Sequence, residues 1–451
     1  MNAALESDRP GPLGLTRYQW LVFFAAWLGW GFDVFDGLLF NFVSPICVPD
    51  LLHLAPGSVA AKQATTFWTG TLTSVLLLGW ALGGIVFGRL ADRLGRTRTL
   101  LVTMLTYALA TVACALAPNL WVLALCRFVA SLGIGGEWAA GASLVAETVP
   151  EKRRVPMGAL LYTSAPAGLF LATFVNDLFT RQLPAVAANP SLSWRLVFVT
   201  GLVPALVALA IRAKVKEPEK WAHAKAETVR FAELFTPALR KRTLGGLAMA
   251  STALVTWWSV NAFIPMIARL LGAQDFALHG PWPGEAHAYA LEQARRPAYF
   301  VTLATSLFNV GGLVGTLLTV PLALALGRRT MFVAYFAASA AAIWLAFGFP
   351  LEPMTRVWLI GLVGLTVFGV FGSFTFYLPE LFPTRLRGTG SGFCYNVGRV
   401  ITAGGPFAVS VVAQGGMNPV DIVRWVALAP VVGLALMAAG FGVETKGEAL
   451  A

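Results

Sequence analysis

The chain reads as an all-α integral membrane protein, with twelve transmembrane helices in two pseudo-symmetric six-helix bundles. Three observations lead there. Of 451 residues, 57% are hydrophobic and 12% charged, against about 25% charged in soluble globular chains. That excludes a disordered chain and argues against a water-soluble enzyme. Twelve continuous apolar runs approach the roughly 20 residues a helix needs to cross hydrocarbon. Short motifs also recur between the halves at a nearly constant spacing.

The runs fall at roughly 18–44, 66–87, 99–117, 119–146, 157–179, 194–213, 243–272, 299–323, 331–349, 354–378, 389–413 and 421–442. They are continuous rather than alternating, which excludes a barrel. The first, Tyr18 to Val43, is too long for a signal-peptide core and no small-residue cleavage site follows it, so it is expected to remain as the first span. Twelve spans put both termini on one side. On that side lie 23 of the 33 Lys and Arg, with 8 on the other and Arg127 and Arg399 inside spans. The positive-inside rule then predicts cytoplasmic termini in an inner membrane. The net charge of +11 comes from short basic clusters between spans, a topology signal rather than a nucleic-acid surface. Cys47, Cys114, Cys126 and Cys394 form no CxxC pair and read as small buried hydrophobes, not as a disulfide or metal set.

The division is predicted at 1–213 for an N-terminal bundle, 214–242 for a charged cytoplasmic linker and 243–451 for a C-terminal bundle. A second polar stretch, 273–298, contains His279 and His287 and reads as a solvated outer loop. Glu147-Thr-Val-Pro150-Glu-Lys-Arg153-Arg154 matches Glu380-Leu-Phe-Pro383-Thr-Arg385-Leu-Arg387 at an offset of 233, and Gly95-Arg96-Thr97 matches Gly327-Arg328-Arg329-Thr330 at 232. Lys216-Glu217-Pro218 leaves the first half much as Glu444-Thr445-Lys446-Gly447 leaves the second. Such a repeat implies parallel bundles about an axis along the membrane normal, with a cavity between them at the midplane.

Charge inside a bilayer costs several kcal/mol per group unless paired or wet. Asp33, Asp36, Arg127, Glu137 and Arg399 accept that cost. Either they carry function or they are ion pairs that lock helices. Asp33 and Asp36, three residues apart, share a helix face. Close carboxylates resist a shared negative charge and a cation relieves them, so protonation depends on whether the cation is engaged. Asp33 also reads as a hydrogen-bonded residue near the outer mouth. Glu137 lies ten residues after Arg127, about 15 Å along a helix, and is either a second proton site on the inward path or a paired charge. Arg399 has Pro166 as its repeat-mate, so its role belongs to one half only. Its guanidinium suits bidentate binding of a substrate carboxylate, with Tyr395 and Asn396 nearby and Asn261 on the seventh span as a further polar candidate. Trp27, Trp30, Phe32, Phe35, Trp138, Trp257, Trp258, Phe371, Phe374, Phe376 and Tyr377 crowd these charges. Most read as packing or lipid-facing residues, and some as the lining for a flat organic acid. Gly79, Gly83, Gly84 and Gly88, and likewise Gly311 and Gly315, are spaced for close helix contact.

Gly88-Arg-Leu-Ala-Asp92-Arg93-Leu-Gly95-Arg96 resembles the signature loop of the major facilitator superfamily. Arg127 through Trp138, Glu380 through Gly388, and the terminal Glu444-Thr445-Lys446-Gly447 extend the resemblance over both halves. Within the superfamily, Asp33-Val-Phe-Asp36, Gly135-Gly136-Glu137-Trp138-Ala139 and Gly392-Phe-Cys-Tyr395-Asn396-Val-Gly398-Arg399 resemble the metabolite:proton symporters of the sialate and aromatic-acid branches. The resemblance implies that Asp36 pairs with Arg127 when ionised, and that Gly88, Asp92, Arg93, Arg96, Glu147, Glu380, Arg385 and Arg387 form a cytoplasmic gate. It implies a secondary active transporter, not an enzyme, needing no cofactor or metal and no nucleic acid. The expected function is proton-coupled uptake of a small organic anion across the bilayer by alternating access, in a monomer. Three alternatives stay open. A neutral sugar:proton symporter would need cavity amides and hydroxyls and no central arginine. A proton-antiporting exporter would carry a Gly-Pro element in the fifth span, where Ala165-Pro166-Ala167-Gly168 is a poor match. A non-transporting sensor would use 214–242 as its output.

Overall fold

A computed structural model describes residues 14–94, 96–150, 153–203, 206, 231–279, 286–383 and 386–446. Among these residues the chain is helical throughout its ordered elements and contains no strand. In the first half, α1 is Arg17–Leu51, α2 Val59–Leu94, α3 Arg96–Ala115 and α4 Leu120–Thr148. Next, α5 runs as Arg154–Tyr162 and Ser164–Asp177, closed by a π-helical turn at Leu178–Gln182, and α6 begins with Pro190–Val199. In the second half, α7 runs as Arg240–Asn261 and Ile264–His279, α8 is Ala286–Leu326 and α9 Arg328–Phe347. Two α-helical segments of α10, Pro353–Gly369 and Phe374–Glu380, flank a 3₁₀ turn. The helix α11 runs as Arg387–Thr402 and Gly404–Gln414, and α12 spans Pro419–Ala438 with a 3₁₀ turn inside it. The twelve helices follow the apolar runs in order.

The sequence repeat is a structural one. Helices α2 and α8 end at 94 and 326, α3 and α9 start at 96 and 328, and α4 and α10 end at 148 and 380, each pair 232 apart. Helices α5 and α11 start at 154 and 387, which are 233 apart. Small residues draw the same partners together in each half. A Cβ on Gly83 would run into the Leu132 carbonyl of α4, and one on Gly135 into the Trp80 carbonyl of α2. In the second half, a Cβ on Gly311 or Gly315 would meet the backbone carbonyls of Gly361 and Leu365 on α10. Backbones this close replace the hydrophobic effect as the cohesive force between helices in lipid.

The start of α1 is fixed by a capping box. Thr16 and Gln19 exchange side-chain and backbone hydrogen bonds of 3.2 and 2.9 Å. The Gln19 amide also reaches the Thr148 carbonyl at the end of α4, at 2.9 Å. This ties α1 to α4 at the ends nearest the chain termini and sets Asp36 against Arg127. Eight helical stretches among the described residues are long and apolar enough to cross a membrane, with Leu101–Ala115 and Leu120–Gly135 as shorter apolar helices. Outward-facing Leu109 (64% exposed) and Trp121 (75%) suit hydrocarbon rather than water.

Hydrogen bonds cross between the bundles on the half away from the termini. Ser74 donates to the Ala403 carbonyl at 2.6 Å, Thr302 to Asp177 at 2.6 Å and Thr173 to Thr305 at 3.2 Å. The stretch 273–298 departs from its expectation as a loop: α7 continues to His279 and α8 begins at Ala286. Buried Asp275 on α7 takes Arg296 of α8 at 2.7 Å, so an ion pair extends both helices past their apolar cores. All four cysteines are free thiols; Cys47, Cys114 and Cys394 are buried, whereas Cys126 is partly exposed.

Gly83→Val is expected to lower the thermal unfolding midpoint of detergent-purified protein sharply, since overpacking a tight contact costs about 1–3 kcal/mol or more. Gly392, with nothing within 4 Å of a Cβ, is the control. Gly392→Ala is expected to be neutral or to stabilise by up to about 1 kcal/mol. Equal midpoints for the two variants would contradict the close-contact account.

Candidate substrate-binding site

Four helices are interrupted, and the interruptions of α5 and α10 border a cavity. Helix α5 is interrupted at Thr163, α7 at Ala262 and Phe263, α10 at Val370–Ser373, and α11 at Ala403. The local causes are legible: Pro166 follows the α5 break, Pro265 the α7 break, Gly372 lies in the 3₁₀ turn, and Gly404-Gly405-Pro406 follows the α11 break. Irregular backbone at membrane depth is tolerated where it is buried in protein or lines a cavity.

The cavity contains about 440 Å³ of atom-free space, part of it open to the surroundings. Its walls are Trp30, Val34 and Leu38 of α1, Trp80 of α2, Tyr162 and Ala165 of α5, Leu254, Trp257 and Trp258 of α7, Phe368 and Phe371 of α10, and Tyr395 and Arg399 of α11. Eight of these thirteen residues are aromatic, and Arg399 is the one formal charge among them. The guanidinium is 3% exposed. Its carbon lies 4.4 Å from the Trp80 ring centre and 4.7 Å from that of Tyr395, so aromatic faces from both bundles hold it. Nη1 donates to Asn396 Oδ1 at 3.1 Å, and the Tyr395 hydroxyl bonds both Arg399 and Tyr162. Asp33 of α1, fully buried, is within electrostatic reach of Arg399.

Asp36 and Arg127 come together, but elsewhere. Asp36 lies on the flank of α1 turned from the cavity, and neither residue lines it. Thr111 of α3 donates to Asp36 Oδ2 at 2.6 Å, while Oδ1 accepts no hydrogen bond among the described residues and stands 3.6 Å from Arg127 Nη1. Arg127 spends its donors on α1 backbone, at the carbonyls of Asp36 (3.0 Å) and Gly37 (2.5 Å). The ion pair is longer than a charge-assisted hydrogen bond of about 2.8 Å, so the carbonyls, not the carboxylate, anchor Arg127. Asn261 is buried where α7 breaks and does not line the cavity.

Toward the chain termini, Glu380 and the last described residues knit the second half together. Arg328 grips Glu380 with two bonds of 2.7 and 3.1 Å, and Thr445 donates to the same carboxylate at 2.5 Å. Glu444 caps α9, accepting from the backbone N–H groups of Arg328 (2.9 Å) and Arg329 (3.0 Å). Gly327 makes the preceding turn at φ +84°, where a side chain would also strike Glu444. Arg387 donates to the Pro379 carbonyl at 3.1 Å. Phe376 and Tyr377, grouped with the central aromatics by sequence, belong to this cluster through Arg328 (5.3 Å) and the Val443 carbonyl (3.2 Å). Arg385 and the side chains of Glu137, Gly88, Asp92, Arg93, Arg96, Glu147 and Trp138 lie outside the described residues. Sequence reasoning passed over Trp80, Tyr162 and Phe368. Trp80 sits among the packing glycines of α2, and Tyr162 and Phe368 stand beside helix breaks, the signal that would have singled them out.

A twelve-helix repeat around a central cavity defines a transporter, not an enzyme. Residues 20–406 match the Major Facilitator Superfamily, and the chain belongs to that family. It is 30% identical over 448 residues to a probable 4-methylmuconolactone transporter of Cupriavidus pinatubonensis, covering 95% of this chain and 93% of that protein. It is 26% identical to the sialic acid transporter NanX of Escherichia coli over 94% of each chain. Among solved structures, a D-xylose-proton symporter superposes with a TM-score of 0.74 at 17% identity, covering 96% of this chain and all of that one. That likeness concerns the fold.

The Glu444 cap carries a pH dependence. Partial burial pushes its carboxyl up, but the N–H groups of Arg328, Arg329, Lys446 and Thr445 outweigh burial and hold it below the ordinary glutamate value. Its contribution is therefore whole above the unfolded value of about 4.3 and is lost as pH falls through the lower folded value. Glu444→Gln is expected to destabilise by no more than about 0.5 kcal/mol at pH 7, after allowance for solvent screening. The difference from the parent should close in strong acid. A difference that grows with acidity in melting curves would contradict the assignment.

Proposed function

We propose that the protein is a proton-coupled symporter that takes up a small, flat organic carboxylate by alternating access, in the cytoplasmic membrane and with both termini cytoplasmic. The observation that carries this is a single guanidinium held between aromatic faces in a small, largely aromatic cavity. A carboxylate satisfies the cation, and a flat unsaturated body satisfies the walls. The relative that carries sialic acid transports an acid, and the excess of basic residues beside the termini supports the orientation.

In the proposed cycle, Arg399 of the empty carrier is balanced at range by Asp33. An arriving carboxylate takes over that balance and leaves α1 with surplus negative charge. Asp36 then accepts a proton on Oδ1, the carboxylate oxygen that has no donor. Charge moving into a dry site costs least when it is compensated in step, so anion and proton travel together. The anchoring of Arg127 on two carbonyls changes one detail of the sequence expectation: protonating Asp36 relaxes the pair without freeing Arg127. A neutral-sugar cargo finds few partners here, since among the described residues of the lining Tyr162 and Tyr395 supply the hydroxyls.

The test is uptake into proteoliposomes under an imposed pH gradient, with benzoates, muconate, lactate, dicarboxylates and sialic acid against neutral sugars. Arg399→Gln is expected to reduce carboxylate uptake at least 100-fold, removing a buried charge-assisted contact of about 3 kcal/mol. Asp36→Asn should abolish uphill accumulation while sparing exchange. Sugar uptake that survives Arg399→Gln would overturn the substrate class, and intact accumulation by Asp36→Asn would overturn the proton site.

A further inference from the structure

The same cavity holds two indole N–H groups that the carboxylate reading does not use. Trp80 and Trp257 are 4% and 6% exposed, and Nε1 of each is buried with no hydrogen-bond acceptor among the described residues. An indole N–H can only donate. A buried donor left without an acceptor forfeits its hydration, and such groups are rare in folded proteins unless something outside the chain satisfies them. Both rings face the cavity.

Their positions differ. Trp80 carries the Arg399 guanidinium on its face at 4.4 Å, so its N–H belongs to the cationic end. Trp257 belongs to a different wall, edge-on to Phe368 at 5.3 Å and near Phe371 at 6.0 Å. Trp258 stands between the two, 5.8 Å from Trp80 and 4.7 Å from Trp257. The donors are thus separated by one intervening ring. The hydroxyls of Tyr162 and Tyr395 bond one another. Two walls of the cavity therefore carry a buried donor without an acceptor among the described residues, one on the indole beside the guanidinium and one on an indole two rings away.

We propose that the cargo carries a second hydrogen-bond acceptor remote from its carboxylate, such as a ring nitrogen, hydroxyl or carbonyl, and that the Trp257 N–H selects for it while the Trp80 N–H shares the carboxylate with Arg399. This rests on the carboxylate reading and narrows it. Apolar walls discriminate weakly between flat acids of one shape, whereas a buried donor rejects the analogue that leaves it unpaired.

Benzoate and the three pyridine monocarboxylates test this cleanly. They are isosteres, and at neutral pH each ring nitrogen is an acceptor where benzoate has C–H. Binding to the purified full-length protein is measured by titration calorimetry. At least one pyridine isomer is expected to bind more tightly than benzoate. Trp257→Phe should erase that advantage, a change of about tenfold in the ratio of the pyridine and benzoate Kd values for one hydrogen bond, over and above any shift in benzoate affinity from the altered wall. Retained benzoate binding also reports that the variant is folded. Trp80→Phe should weaken all four acids by a similar factor. Benzoate bound as tightly as every pyridine isomer, or Trp257→Phe weakening all four alike, would overturn the assignment and leave the carboxylate reading standing. Failure of the parent protein to bind any of the four would overturn both.

Discussion

An arginine buried in an aromatic cavity is the constraint on which the rest of this structure turns. A guanidinium cannot shed its proton in a protein, so its charge must be met by other means. Here two aromatic faces, an amide and a phenol hold it, and a carboxylate on the opposite bundle senses it at range. The arrangement stabilises the cation enough to keep it buried and leaves room for an anion. That the cavity is bordered by the breaks of α5 and α10 follows from the same need. Side chains can converge from many helices only where the backbone departs from straight rods.

The second buried charge pair belongs to one bundle and reaches the cavity through α1. Trp30, Val34 and Leu38 of this helix face the cavity, and Asp36 turns away toward Thr111 and Arg127. Helix α1 is thus the shared wall between a candidate proton site and a candidate anion site. Asp33, on the same helix, lies within electrostatic reach of Arg399. In the proposed cycle the coupling needs no shared chamber: the two sites communicate through the charge and packing of one helix.

Much of this was legible in the sequence. The twelve spans, their order and the repeat at 232–233 follow from apolar length and from motif spacing, because hydrocarbon thickness and internal duplication leave direct marks on a chain. Arg399 stood out because an isolated intramembrane arginine is costly. Less legible was which aromatic residues line the cavity. Trp80, Tyr162 and Phe368 resemble every other aromatic of an oily helix until the helix breaks are known. The polar stretch around Asp275 read as a loop because its partner, Arg296, is 21 residues away and the ion pair that extends the helices is not a local signal. The position of Asp36 and Arg127 away from the cavity was equally hidden, since helix rotation depends on how α1 packs against α3 and α4.

Two kinds of interface coexist, and their difference bears on motion. Within each half, α2 meets α4 and α8 meets α10 backbone to backbone through glycine, with no space even for a methyl group. Such contacts are lost outright by small displacements, so each bundle resists internal shear. Between halves, on the side away from the termini, a Cβ on Gly70 would likewise strike the Pro406 carbonyl, and beside that contact stand single hydroxyl bonds such as Ser74 to Ala403 and Thr302 to Asp177. Each contributes about 1 kcal/mol net and can be exchanged for water when that side opens. The two bodies thus meet along a seam that mixes exchangeable hydroxyl bonds with close packing at Gly70. The seam passes through Arg399, whose aromatic platforms, Trp80 and Tyr395, come one from each body. Opening either side therefore changes the surroundings of the one charge in the cavity lining, which is how occupancy of the site can bear on which side opens.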